Sequence, residues 1–132
     1  MLRRDKSRGF TLIELMIVIS VILILLAVAI PMYQQSILRA KEAVLRDDLF
    51  QLRSCIDQFT LDKSRAPQSL DDLVQAGYLR EIPIDPMTSS RDSWVVVNED
   101  VLQSIDQTQP GITDVHSGSE GTAMDGSAYS SW

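Results

Sequence analysis

The chain has 132 residues, 45% of them apolar, and a net charge of −6 at neutral pH. That length holds one small domain, and the acidic balance argues against nucleic-acid binding, which rests on cations set against phosphates. A single cysteine, Cys55, excludes a disulfide within these residues, and a single histidine, His116, excludes a paired-histidine zinc centre.

Residues 1–9 read as a basic leader. Arg3, Arg4, Lys6 and Arg8 outweigh Asp5 for a local +3, which leaves −9 for the rest of a chain whose total is −6. Cations beside an apolar run keep that end in the cytoplasm and send the acidic remainder outward. Residues 10–30 are the run itself. At about 1.5 Å per residue a helix from Phe10 to Ile30 rises about 31 Å, close to the hydrocarbon thickness of a bilayer.

Three residues in this segment need an account. Gly9 lets a protease approach the backbone between Gly9 and Phe10 closely. Glu14 puts a charge into the apolar run, which costs about 2.5–3.5 kcal/mol at the centre of a membrane helix and somewhat less near its end. No lysine or arginine lies between Phe10 and Tyr33 to neutralise it. A cut after Gly9 creates a cation, the new amine of Phe10, and the amine of one subunit can meet the Glu14 carboxylate of the next. Pro31 withholds a donor from the carbonyl of Ala27, so a kink or local unwinding is expected there.

Residues 31–66 continue the helix with an apolar face at Ile37, Ala40, Val44, Leu45, Leu49, Leu52, Ile56 and Phe59, spaced three or four apart. Cys55 lies on this stretch as a small apolar residue rather than a reactive thiol. Pro67 requires the helix to stop before it. Residues 67–132 form a small α/β region. A short second helix starts at Ser69, carries Asp71 and Asp72 in its first turn, turns Leu70, Leu73 and Val74 inward and ends at Gly77. Ile82-Pro83-Ile84-Asp85-Pro86 is an extended connector. Trp94-Val95-Val96-Val97 is a strand whose partner is Ile112 to Val115, across a turn near Gln109-Pro110-Gly111. Val101 to Ile105 reads equally as a strand or a helical turn. Ser117 to Trp132 is a polar loop rich in Ser and Gly. The predicted fold class is therefore α+β, a long N-terminal helix packed through its second half on a small antiparallel β region.

The string Arg8-Gly9-Phe10-Thr11-Leu12-Ile13-Glu14 resembles the class III signal of type IV pilins and of type II secretion pseudopilins. The resemblance implies that a prepilin peptidase cuts after Gly9, that Phe10 is N-methylated, that Glu14 guides assembly, and that Pro31 marks a flexible stretch. Ser69-Leu70-Asp71-Asp72-Leu73 through Gly77-Tyr78-Leu79, and Pro83-Ile84-Asp85-Pro86, are similar to the middle of the major pseudopilins. These proteins end in a loop that folds around calcium and closes near a terminal tryptophan, a pattern approximated here by Ser117, Glu120, Asp125 and Trp132. Ser117, Glu120 and Asp125 are thereby the expected calcium ligands. The pattern departs in two places: glutamate replaces an aspartate, and a pair of acids is reduced to Asp125 between Met124 and Gly126.

The resemblance implies a structural filament subunit of the type II secretion pseudopilus, driving protein export across the outer membrane. The alternative is a type IV pilin of a surface pilus. The absence of a C-terminal cysteine pair favours the pseudopilus. Implied partners are copies of the same chain, the prepilin peptidase, the inner-membrane assembly platform and minor pseudopilins. The implied location is the bacterial inner membrane, single-pass, with the N-terminus cytoplasmic and the C-terminal domain periplasmic, before passage into the filament. Two plainer readings compete: an ordinary secretory signal, for which Ala27-Val28-Ala29 is the cut site, and a singly anchored binding domain. Neither explains Glu14. No enzyme is expected: His116 has no acid and nucleophile at triad spacing, adjacent Asp71 and Asp72 point about 100° apart on a helix, and no phosphate-cradling glycine loop occurs.

Overall fold

The computed structural model describes residues 9–100, 102, 105 and 108–132. Most of Val101 to Ile105 and all of the leader before Gly9 lie outside the described residues. Five elements follow in order: α1 at Leu12–Lys63, α2 at Leu70–Gln75, β1 at Val95–Glu99, β2 at Gly111–His116 and a 3-10 turn at Tyr129–Ser131. The chain divides into two compact units, Met1–Ile37 and Leu38–Trp132.

In the first unit α1 begins behind Thr11, whose hydroxyl accepts the backbone N–H of Glu14 at 3.2 Å and so supplies an N-cap. Beyond it the apolar side chains stand exposed on every side, from Phe10 at 85% to Ile24 at 66% and Ile30 at 53%. A helix apolar all round with nothing packed on it belongs in lipid or among other helices. Within the apolar run Ser20 donates its hydroxyl back to the carbonyl of Met16 at 2.7 Å, which satisfies that polar hydrogen within the helix. Helical structure is assigned through Pro31.

In the second unit α1 turns one face to a core. Leu45, Leu49, Leu52, Ile56 and Phe59 are buried at spacings of three and four, the heptad-like stripe expected from the sequence. The stripe starts later than expected. Ala40 and Val44 are exposed, because at about 100° per residue they point away from the face that carries Leu45, Leu49 and Leu52. Ile37, the last residue of the first unit, is exposed as well.

Helix α1 ends at Lys63, and Ser64 takes a left-handed backbone, φ 52°. Its carbonyl accepts both the backbone N–H and the hydroxyl of Thr108. At α2 the carboxylate of Asp72 reaches back to the N–H groups of Gln68 and Ser69, at 2.8 and 3.3 Å, and satisfies two donors at the helix start. The helix closes in a Schellman motif. Gly77, at φ +83°, donates to the carbonyl of Val74, and Tyr78 donates to that of Leu73.

Strands β1 and β2 pair antiparallel with Val95 opposite His116, Val96 opposite Val115 and Val97 opposite Asp114, and the register slips by one residue between Val97 and Asn98. Ile112 and Val115 face the core with Trp94, Leu70, Leu73, Ala123 and Tyr129, all against the α1 stripe. This sandwich of helix, two-stranded sheet and C-terminal loop makes a pilin-like α+β domain, and it presents the loop to one edge of α1.

Candidate functional site

The N-terminal candidates lie together on the first turn of α1. Gly9 and Phe10 precede the helix and are exposed, so the bond between them is open to a protease. Glu14 is the third residue of the helix, where a carboxylate is favoured by the free N–H groups and the positive end of the helix dipole. It has no cationic partner among the described residues. Thr11, which caps this turn, was not singled out from the sequence, although Thr-x-x-Glu before an apolar run is a capping signature.

The C-terminal candidates are held differently from one another. Ser117 is buried, 1% exposed, and donates its hydroxyl to Asp85 Oδ2 at 2.5 Å. Asp85 is fully buried too, and its other oxygen accepts the backbone N–H of Met87 at 2.8 Å. Asp125 is exposed, and its Oδ1 accepts the N–H and the hydroxyl of Ser127 at 2.9 and 2.5 Å, while Oδ2 lies 3.9 Å from Arg46. The two bonds from Ser127 hold the Asp125 carboxyl below its usual range. Glu120 is exposed. Among the described residues no three His, Cys, Asp or Glu side chains converge to hold a metal ion. The hydroxyl of Ser117 and Oδ1 of Asp125 are engaged with protein partners, and these side chains as placed do not fit a calcium site.

The loop is instead tied to α1 by three side chains on one face of the helix. Glu42 Oε1 accepts the N–H of Met124 at 2.9 Å and the hydroxyl of Tyr129 at 2.8 Å. Arg46 stacks its guanidinium over the ring of Trp132, 4.4 Å from the centroid. Arg53 donates from Nε to Asp114 Oδ1 at 2.6 Å and from Nη2 to the backbone oxygens of Val115 at 2.9 Å and Trp132 at 2.5 Å. Residues 42, 46 and 53 are spaced by four and seven, which places all three on the same side of a helix.

Within the loop, Trp132 donates its indole N–H to Ser127 at 2.7 Å and packs edge-on against Tyr129, with ring centroids 5.1 Å apart. His116 is half-buried. Its Nδ1 donates to the backbone oxygen of Trp132 at 2.6 Å, and its Nε2 lies 3.5 Å from Asp114. Burial pushes the Asp114 carboxyl up, but the N–H of Val115, the Arg53 guanidinium and His116 together outweigh it and hold the carboxyl below its usual range. Cys55 is half-buried, donates to the carbonyl of Tyr78 at 3.4 Å, and has its thiol pushed up by burial, away from the reactive thiolate.

Comparison with known proteins finds a family model and several relatives. Residues 4–30 match the family model described as the prokaryotic N-terminal methylation motif. The chain is 34% identical over 101 residues to a type II secretion system core protein G of Klebsiella michiganensis, covering 64% of this chain and 71% of that protein. It is 31% identical over 110 residues to the Escherichia coli K12 protein of the same name, covering 71% and 74%. A type IV major fimbrial protein FimA of Dichelobacter nodosus is 44% identical over 65 residues, covering 49% of this chain and 41% of that protein. No solved structure matches the chain. Helix α1 ends at Lys63, so matches over 64% and 71% of 132 residues must reach into the domain beyond it, whereas the fimbrial match is about as long as the leader and α1 alone.

Proposed function

The chain belongs to the family of type II secretion system core protein G, and from that premise we propose that it is the pseudopilin subunit that builds a filament for protein export across the outer membrane. The observation that carries this reading is the extent of the match. It includes the N-terminal methylation motif and continues past α1 into the C-terminal domain, where a helix shared with pilins of every kind would contribute nothing.

The mechanism follows from the first turn of α1. The basic leader holds the N-terminus on the cytoplasmic face, and residues 10–30 span the inner membrane with the acidic domain outside. Prepilin peptidase removes residues 1–9, and the amine exposed on Phe10 is methylated and remains a cation. Glu14 lies four residues on, in the first turn of α1, without a cationic partner among the described residues and free for a neighbour's amine. Neutralising that carboxylate with the amine of the next subunit removes the cost of keeping it in an apolar surrounding and fixes the register between subunits. Pro31, with one helical hydrogen bond fewer, gives α1 a place to yield as subunits pack.

Mass spectrometry of protein purified from membranes tests the reading together with an export assay. A mature chain that begins at N-methylated Phe10, in cells whose export fails when the chain is deleted, is the expected result. A chain beginning at Ile30, just past Ala27-Val28-Ala29, or an uncut leader contradicts it. The fimbrial match favours one other reading, a subunit of a surface pilus. Surface fibres that vanish on deletion while export continues select that reading.

A further inference from the structure

We propose that the C-terminal loop of this chain is locked to α1 by a metal-independent latch, in which Glu42, Arg46 and Arg53 do the work that the resemblance assigns to calcium. The proposal does not rest on the filament reading, because it concerns how residues 117–132 stay folded within one chain.

Three observations carry it. The first is the state of the ligands a cation would require. Both hydrogen atoms nearest Asp125 Oδ1 come from Ser127, the hydroxyl of Ser117 is committed to buried Asp85, and exposed Glu120 joins no acidic cluster. The second is charge. The loop lies beside two guanidinium groups, one 3.9 Å from Asp125 and one bonded to the backbone oxygen of Trp132, so a divalent cation brought to these oxygens meets like charge.

The third is that the latch leaves little unsatisfied. Glu42 takes two donors from the loop, Met124 at its middle and Tyr129 near its end, which fastens the second half of the loop to α1. Arg53 takes the last backbone oxygen together with two acceptors on β2, which fastens the chain end to the sheet. Charge-assisted bonds of this kind are about twice as strong as neutral ones, and they use an anion and cations that the helix carries permanently. The loop needs no second component, and its order is set when α1 and β2 pack.

Hydrogen–deuterium exchange on the full-length protein in detergent micelles tests this directly. Amides between Gly118 and Ser131 are expected to exchange at the same rate with excess calcium and with a calcium chelator. Arg53→Ala is expected to speed their exchange about tenfold or more, since it removes several charge-assisted bonds, and calcium is expected not to restore it. Should Arg53→Ala fail to fold, Glu42→Ala removes the acceptor of Met124 and Tyr129 from a partly exposed position and is expected to open the same amides. Chelator that speeds exchange in the unaltered protein, saturable calcium binding by calorimetry, or unchanged exchange in both variants overturns the proposal.

Discussion

The buried hydroxyl of Ser117 donates to Asp85 Oδ2 at 2.5 Å across 32 residues of sequence, and this bond joins the proline-flanked connector to the first residue of the C-terminal loop. The Asp85 carboxylate also accepts the N–H of Met87, and its backbone N–H donates to the carbonyl of Ser90, so this one residue organises the turn at 86–89 and the start of the loop together. Nearby, Trp94 donates its indole N–H to the carbonyl of Pro83 at 2.8 Å and ties β1 to the same connector.

Replacing Asp85 by Ala strands the buried hydroxyl of Ser117 and leaves the N–H of Met87 without its acceptor. Each unsatisfied buried group costs about 1–3 kcal/mol, so Asp85→Ala is expected to lose about 2–4 kcal/mol, while Ser117→Ala breaks one of these bonds rather than both and is expected to lose less. Urea unfolding followed by the fluorescence of Trp94 and Trp132 measures both. Equal and small losses contradict the assignment of Asp85 as the organising group.

A different carboxylate works against the fold. Asp48 lies half-buried on α1 beside the core stripe, and its carboxyl is pushed up by burial first, then by the charges of Asp47 and Asp85. A carboxyl whose folded pKa exceeds its unfolded value favours the folded state only while it is protonated, so that contribution is present at acid pH and lost as pH rises through the folded value. At neutral pH Asp48 is therefore destabilising. Asp48→Asn is expected to raise the urea midpoint at pH 7 and to narrow the gain at low pH. A lower midpoint at pH 7 rules the argument out.

Glu14 acts between molecules rather than within one. With its carboxylate removed, peptidase still finds Gly9 and Phe10 in the same exposed stretch, so Glu14→Ala is expected to be cut normally. Assembly is expected to fail, since losing one member of a buried ion pair costs about 3–5 kcal/mol, or more than about a hundredfold in each subunit addition. Glu14→Gln keeps the shape without the charge and should fail as well. Counting filaments by electron microscopy alongside the mass of the mature chain separates the two steps, and filaments of normal number in Glu14→Ala would falsify the charge-pair mechanism.

Much of the fold was legible because its signals are local or periodic. The apolar run from Phe10, the stripe from Leu45 to Phe59, the Gly77 stop and the strand pair around Val96 and Val115 each announce themselves within a few residues. What stayed hidden depends on groups distant in sequence. Nothing near Asp85 in the sequence marks it as buried, because its partner is Ser117, and Arg53 reads as a solvated helix charge until β2 and Trp132 fold against it. Val44 misled for a different reason, since it adjoins buried Leu45 in sequence but points about 100° away around the helix, at the edge of the apolar face and outside the covered strip. Likewise Asp125 offers a calcium-like oxygen in the sequence, and only the position of Arg46 and Ser127 shows how that oxygen is used.

Tyr129 gives the latch an alkaline limit. Its hydroxyl is buried among Ala123, Trp132 and the α1 face and donates to Glu42, and it is pushed up to about 12 from an ordinary value of 10.0, by burial first, then by the bond to Glu42 and the charges of Glu42 and Asp125. The folded state therefore holds this proton more tightly than the unfolded one. The stabilisation is complete below the unfolded value and is lost as pH rises through the folded value, which places the loss between about pH 10 and 12. Tyr129→Phe removes the proton and its bond together. It is expected to cost about 1 kcal/mol at neutral pH and to flatten the alkaline fall in stability, because phenylalanine has nothing to ionise. Unfolding midpoints collected across that range for both proteins check the sign, and an unaltered alkaline slope in Tyr129→Phe would assign the loss to other groups, such as Tyr78, whose hydroxyl is also held up by its bond to Asp62.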